Sequence, residues 1–266
     1  MRNCNIRKSL AVVLAVVFAL MFWSRSEAAA VNKKNFYRSL ASRLSKNRDD
    51  YKNLSDYEFA NFRAVRSTGI KPGKLYRSSS PVKPWGNRNL IADSAAMRSG
   101  VKTFINLADD YKYLNGYKSF ASSYYATQKI ICLNLDLKFK SKNFQSGVAR
   151  GVSFMAKNSP PYLVHCDLGK DRCGIFCAIV ESLAGASSSE IVADYMISFR
   201  NYFGINPGTD DYEFVADNEI RPFLASIFEV KSIEGINLAA AAEQYLMRIG
   251  VSRDDIQTLR QKLSNP

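Results

Sequence analysis

Apolar and polar positions change their period several times along the chain. Leu10 to Trp23 is an unbroken apolar run of 14 residues. Residues 31–50 are polar with scattered apolar positions, the pattern of a short helix and a lead-in. Asn61 to Val65 reads as a first strand. Gly69 to Gly73, with Pro72, forms a turn, and Leu75 to Arg77 forms a second strand that runs into Ser78-Ser79-Ser80-Pro81. Residues 89–99 predict a helix closed by Gly100. Val101–Leu107 reads as a buried strand, residues 111–126 carry Tyr and Phe at helical spacing, and Lys129–Leu135 reads as another strand. A helix over 143–158 stops at Pro160-Pro161, and Tyr162-Leu163-Val164-His165 is a short apolar strand. Beyond Arg172, Ile175, Ala178, Ile179 and Leu183 share one helical face up to Gly185. Further helices follow over 189–203 and 210–229. Asn237 caps one over 238–248, and Ser252 with Asp255 forms a capping box for the last. Strands alternating with helices predict an α/β domain: a central sheet of about four or five strands flanked by helices, with a helical C-terminal part. No internal repeat is present.

The first thirty residues stand apart. Arg2, Arg7 and Lys8 precede the apolar run, and Ser24 to Ala30 ends in small residues, with Ala28 and Ala30 at the spacing of a signal-peptidase site. This is the pattern of a secretory signal peptide over 1–30, followed by a single domain over 31–266. The run is shorter than the roughly 20 residues of a membrane span. As a cleaved leader or as an uncleaved anchor, it predicts a secreted or extracytoplasmic domain.

Charge and cysteines narrow the chemistry. The chain of 266 residues carries 37 basic and 24 acidic residues, a formal +13. Removal of residues 1–30 takes away four basic residues and one acidic one, which leaves +10. A basic exported protein suits phosphorylated substrates or anionic surfaces. No Lys/Arg stripe interleaved with aromatics points to nucleic acid. Cys132 and Cys177 fall in apolar stretches that read as strand and helix, so Cys132, Cys166, Cys173 and Cys177 read as three buried thiols and one reactive one rather than a disulfide scaffold. His165 is the only histidine. A His-based zinc site cannot be assembled from it, and no G-x-S-x-G elbow accompanies it. No cofactor or metal is expected.

The chemistry concentrates in His165-Cys166-Asp167-Leu168-Gly169-Lys170-Asp171-Arg172, between an apolar strand and a helix. Ligands of open α/β sheets bind beyond the carboxyl ends of the strands, where a helix N-terminus offers free N–H groups. A loop from Cys166 to Arg172 is long enough to curl round one phosphate with its amides inward, and Gly169 permits a turn at positive φ. Arg172 closes the cradle with bidentate hydrogen bonds. The same positive environment lowers the pKa of a thiol at its floor. His165, adjacent on the strand, points to the opposite face from Cys166 and reads as structural.

This segment resembles the signature loop of the cysteine-dependent protein tyrosine phosphatases, in particular the bacterial and lower-eukaryotic branch with H-C-x-x-G-K-D-R loops. Asn61-Phe62-Arg63, Leu75-Tyr76-Arg77-Ser78, Val101 to Leu107 and the pattern from Ala242 to Leu263 are similar to that branch too, especially to secreted members from Gram-positive bacteria. The likeness covers roughly residues 60–264. It implies the cysteine-dependent phosphatase fold, Cys166 as nucleophile, Arg172 as phosphate ligand, and substrate binding by Asp167, Leu168, Gly169, Lys170, Asp171 and Arg172. Members act on phosphotyrosine, some on phosphoserine or phosphothreonine, and some on phosphoinositides, so the implied partner is a phosphorylated protein or a phosphoinositide. Two departures stand out. Cys173 occupies a position that is usually Ser or Thr and whose hydroxyl faces the thiolate. No Trp-Pro-Asp acid loop is visible, so the general acid falls to Asp136 first and Asp109 second, with Asp110 and Asp171 behind. A rhodanese-type sulfurtransferase and a degenerate phospho-ligand-binding domain are the rival readings.

Overall fold

The computed structural model describes residues 30–264; the leader pattern of 1–30 therefore lies, but for Ala30, outside the described residues. The chain divides into two units, up to Ser45 and from Lys46 onward. In the first, residues 30–43 form helix α1, with Phe36 and Tyr37 edge to face at 5.4 Å. None of the helices among the described residues is long and apolar enough to cross a membrane.

The second unit opens with a 3-10 turn, Arg48–Tyr51, and the short helix α2, Asp56–Phe59, which begins with a Ser55/Glu58 capping box. Strands β1 (Arg63–Ala64) and β2 (Leu75–Ser78) follow, then α3 (Arg88–Arg98), β3 (Thr103–Asn106), α4 (Tyr111–Gly116), β4 (Lys129–Cys132), α5 (Lys142–Lys157) and β5 (Tyr162–His165). The remainder is helical: α6 (Asp171–Ala184), α7 (Ser188–Phe203), α8 (Asp210–Asn218), α9 (Ile220–Phe228), α10 (Leu238–Arg248) and α11 (Arg253–Ser264). The sheet has five strands in the order β1-β2-β5-β3-β4, with β1 antiparallel to β2 and the others parallel. The expected α/β class, strand number and helical C-terminal part are all present.

The register positions the site. Ser78, His165 and Asn106 are paired across β2, β5 and β3, and Asn106 pairs with Cys132 on β4. Four parallel strands thus end level, and the loops after them emerge side by side, where α/β sheets bind ligands. β5 lies at the centre and is wholly buried, which explains its continuous apolar reading. Its alternation fixes two faces. Leu163 packs in a cluster with Phe104, Ala92, Ala96, Val101 and Tyr125. Tyr162 points the other way, its hydroxyl donating to the Met155 carbonyl of α5 at 2.8 Å. Behind the site, α6 packs against α7, α9, α10 and α11.

Two helical expectations are corrected. The span 210–229 is not one helix: it breaks at Glu219, whose φ and ψ are −126° and −86°. Pro222 is the cause, since its ring clashes with the carbonyl four residues earlier, that of Asn218, and it has no N–H to offer. The span 111–126 is helical only over Tyr111–Gly116, apart from a 3-10 turn over Tyr125–Thr127. Ser119, Ser122 and Ser123 bond to backbone carbonyls, and the Asp93 carboxylate accepts the Tyr124 and Tyr125 N–H groups at 2.9 Å. Side chains there hold the backbone in turns instead of a helix.

Candidate active site

The loop 166–170 leaves β5 and enters α6 at Asp171. Gly169 sits at φ 68°, and a Cβ there would lie 2.3 Å from the Ser78 carbonyl oxygen. Only glycine makes this turn against β2. The loop curls because its carbonyls are held from outside. The Asp167 carbonyl accepts from the Ser80 N–H at 3.2 Å. The Leu168 carbonyl accepts from Asn61 Nδ2 at 3.0 Å and from the Tyr202 hydroxyl at 2.7 Å. Gly169 receives Asn61 Nδ2 at 3.2 Å and Arg77 Nη2 at 2.9 Å. Lys170 receives Arg77 Nη2 at 3.2 Å and the Gly174 N–H at 2.8 Å. Four consecutive carbonyls therefore face outward, which leaves the loop amides to face in.

The clamp is itself anchored in the core. Arg63 and Arg77 stand directly opposite on β1 and β2, a like-charge pairing that costs stability unless neutralised. Asp194 of α7 lies between them, taking Arg63 Nε at 3.0 Å and Arg77 Nη1 at 2.5 Å. Burial opposes the Asp194 charge, but the two guanidiniums win and hold its pKa below the usual carboxylate value. Asn61 is fixed in turn by Arg63, Asn201 and Ser198.

Cys166 lies at the floor, 3% exposed. Its pKa is brought down to about 6 by a hydrogen bond from the Cys173 thiol, and by Arg172, against the opposing effect of burial. Cys173 sits where the sequence places it, on the first turn of α6, where the Val164 carbonyl, 3.3 Å from its Sγ, is a second acceptor for its single S–H. Burial and the neighbouring Cys166 push its own pKa far up, so it stays a thiol and a donor. Cys132, Cys166, Cys173 and Cys177 are all free and buried. His165 is also buried; its Nε2 is 2.9 Å from the Tyr125 hydroxyl. Burial lowers its pKa to about 3, so it is neutral.

Arg172 donates Nη2 to Asp167 at 2.6 Å and Nη1 to the Leu135 carbonyl at 3.1 Å. Asp167 also takes Lys83 Nζ at 2.5 Å. Burial opposes the Asp167 charge, but Lys83 and Arg172 outweigh it and keep the carboxylate ionised. The Arg172 bond to Leu135 brings the loop after β4 against the cradle, one residue before Asp136. Asp136 Oδ1 accepts the Lys138 N–H at 3.0 Å and the Ser141 hydroxyl at 2.9 Å. Asp109 is more enclosed, 6% exposed, and both its oxygens are engaged, by Asn106 Nδ2 at 3.1 Å and the Tyr117 hydroxyl at 3.0 Å. Asp110 caps α4 through the Tyr113 N–H at 2.8 Å. The Lys170 ammonium bonds Asp171 and lies 4.4 Å over the Phe199 ring. That bond takes one oxygen of Asp171, Oδ1.

Asn61, Arg77, Asp194 and Tyr202 are the residues that sequence reasoning missed. A signal for two of them exists. Arg77 is a charge within a strand pattern, and Asp194 falls on the buried face of α7, three residues after Ile191 and one before Tyr195. No group of three or more His, Cys, Asp or Glu side chains among the described residues is placed to hold a metal ion.

A strand-loop-helix cradle for an oxyanion, with a lowered thiol at its floor, defines a class of enzyme-like sites rather than one activity. The model of the tyrosine phosphatase family matches residues 27–265, and the chain belongs to that family. A tyrosine-protein phosphatase of Nostoc commune is 34% identical over 119 residues; the match spans 41% of this chain and 40% of the relative's length. The core catalytic domain of the PP-IP phosphatase SIW14 from S. cerevisiae, solved with citrate, aligns at a TM-score of 0.37 and 18% identity over 60% of this chain and 85% of its own.

Proposed function

We propose that this protein hydrolyses phosphate monoesters, phosphotyrosine foremost, through a phospho-cysteine on Cys166. The observation that carries the reading is the cradle itself: outward carbonyls from Asp167 to Lys170 around a thiol brought down to about 6. Membership in the tyrosine phosphatase family supports it.

The thiolate of Cys166 attacks phosphorus in line, and the bond to the alcohol oxygen breaks. The amides of 167–172 and Arg172 hold the equatorial oxygens as charge shifts onto them. Arg172 arrives oriented, because Asp167 and Leu135 take one donor each from its two Nη groups and leave the Nε edge for the phosphoryl group. Asp136 gives its proton to the leaving oxygen. In the second step Asp136 accepts a proton from water, the water oxygen bonds to phosphorus, and the S–P bond breaks to restore the thiolate. Asp136 is preferred over Asp109 because one of its oxygens is uncommitted, whereas both of Asp109's are held. Cys173 donates to the thiolate in place of the usual hydroxyl. The leader pattern of 1–30 supports an extracytoplasmic place for this activity, tested by sequencing the N-terminus of exported protein.

The test is hydrolysis of phosphotyrosine peptide, phosphoserine peptide, phosphoinositide and phytate, with and without vanadate. Cys166→Ser is expected to abolish turnover while still binding phosphate esters, and EDTA is expected to leave the rate unchanged. Substantial turnover by Cys166→Ser, or strong inhibition by EDTA, overturns the reading.

A further inference from the structure

Two lysines flank the cradle, and the structure separates their roles. Lys170, within the loop, has a side chain 13% exposed that is committed to Asp171 and stacked on Phe199, with Glu219 also acting on its charge. Lys83 lies in the neighbouring loop after β2, and its side chain is 41% exposed. Its only ion-pair partner among the described residues is Asp167, itself 37% exposed at the side chain. An exposed pair of this kind is weak and yields to a stronger anion.

The backbone that carries Lys83 is fixed. Ser80 Oγ accepts the Val82 and Lys83 N–H groups at 3.3 and 3.0 Å, and the Ser119 hydroxyl donates to the Val82 carbonyl at 2.7 Å. Ser80 also donates its own N–H to the Asp167 carbonyl, which ties this loop to the cradle. A fixed base therefore presents one half-exposed ammonium. Lys83 and Arg172 bind opposite oxygens of the same carboxylate, at 2.5 and 2.6 Å. Their donor atoms are thus separated by no more than a carboxylate and two hydrogen bonds, about 7 Å.

Resting on the phosphomonoester reading, we propose that Lys83 is a specificity-determining residue that holds the second phosphate of substrates bearing two phosphates on adjacent ring carbons. With the scissile phosphate in the cradle, a second one on the next carbon falls within the reach of Lys83, which exchanges Asp167 for it. Asp167 keeps Arg172 and so continues to orient it. A phosphate across the ring lies beyond this reach and gains nothing. Because the second phosphate is a doubly charged, fully accessible acceptor, the contact is of the charge-assisted kind.

The experiment measures binding to Cys166→Ser by calorimetry, so that it does not depend on turnover. The probes are an aryl monophosphate, an inositol bisphosphate with adjacent phosphates, and an isomer with phosphates across the ring. Lys83→Ala is expected to weaken the adjacent bisphosphate about tenfold or more, against about threefold or less for the other two. Lys83→Arg is expected to restore most of the loss, and Lys83→Glu to deepen it. A short-chain lipid carrying the same adjacent pair, compared with the free headgroup, tells which source binds better. Equal losses on all three probes, or no loss on the adjacent bisphosphate, overturn the inference. If Cys166→Ser binds none of the probes, the phosphate-ester reading fails and the inference falls with it, a pattern distinct from a loss confined to Lys83 variants.

Discussion

The back and the front of the phosphate loop are built differently. At the back, Asn61, Arg77, Asp194 and Tyr202 are buried and joined by hydrogen bonds to one another's partners and to three loop carbonyls. At the front, Asp136, Asp167 and Lys83 are partly exposed and make pairs that solvent can compete for. The back fixes the direction of the amides and so the shape of the cradle. In the proposed mechanism the front supplies the proton and selects what the phosphate is attached to. Changes behind the loop are therefore expected to affect folding and catalysis together, and changes in front to affect catalysis alone.

The sharpest contrast comes from the front. General acids contribute about 10²–10⁴-fold. Asp136→Asn is expected to slow alkyl and phenyl phosphates within that range while nitrophenyl phosphate, with its good leaving group, loses far less, and the melting temperature stays within a degree or two. Equal rates for wild type and variant on both substrates would transfer the role to Asp109.

Breaking the back gives the opposite signature. Arg77→Met leaves the Asp194 charge buried with Arg63 as its remaining partner and takes one of two donors from each of two loop carbonyls. Removing one partner of a buried pair costs about 3–5 kcal/mol. Chemical denaturation is expected to show that loss, and the residual folded protein to have a lower kcat on every substrate alike. Wild-type stability in Arg77→Met would mean that the clamp is dispensable.

The smallest effect lies where the two regions meet, at Cys173. The bond from its thiol is the largest influence lowering Cys166. The thiolate is the reactive form, and a pKa of about 6 means that it is lost as pH falls below that value. Alkylation of Cys166 by iodoacetamide is therefore expected to rise with pH through a midpoint near 6, and kcat/KM to rise on its acid side with it. Cys173→Ala is expected to move that midpoint upward, and Cys173→Ser to leave it close to wild type. An unmoved midpoint in Cys173→Ala would assign the lowering to Arg172 and the amides.

What was legible in the sequence follows the same division. β5, the loop and the start of α6 are contiguous, so the apolar Tyr162–Val164 run and the Cys166–Arg172 spacing disclosed them together. The acids were harder, because Asp136 and Asp109 are both strand-end residues, and what separates them, the uncommitted oxygen of Asp136 against the two held oxygens of Asp109, is a matter of tertiary partners. The clamp draws on β2, α7 and the segment before β1, more than a hundred residues apart in places, and no local pattern links Asn61 to Leu168. Lys83 reads as an ordinary loop lysine until Asp167 is seen beside it. The break at Glu219 was readable from Pro222, whose effect on a continuous helix is local chemistry.

The most direct test of the account is to quench turnover of an aryl phosphate in acid within milliseconds and locate the phosphoryl group by mass spectrometry. The account predicts one phosphoryl group on the peptide that contains Cys166, enriched in Asp136→Asn, where activation of water is slowed, and absent in Cys166→Ser. Steady phosphate release with no phosphoryl group on Cys166, or with it on another residue, would contradict it.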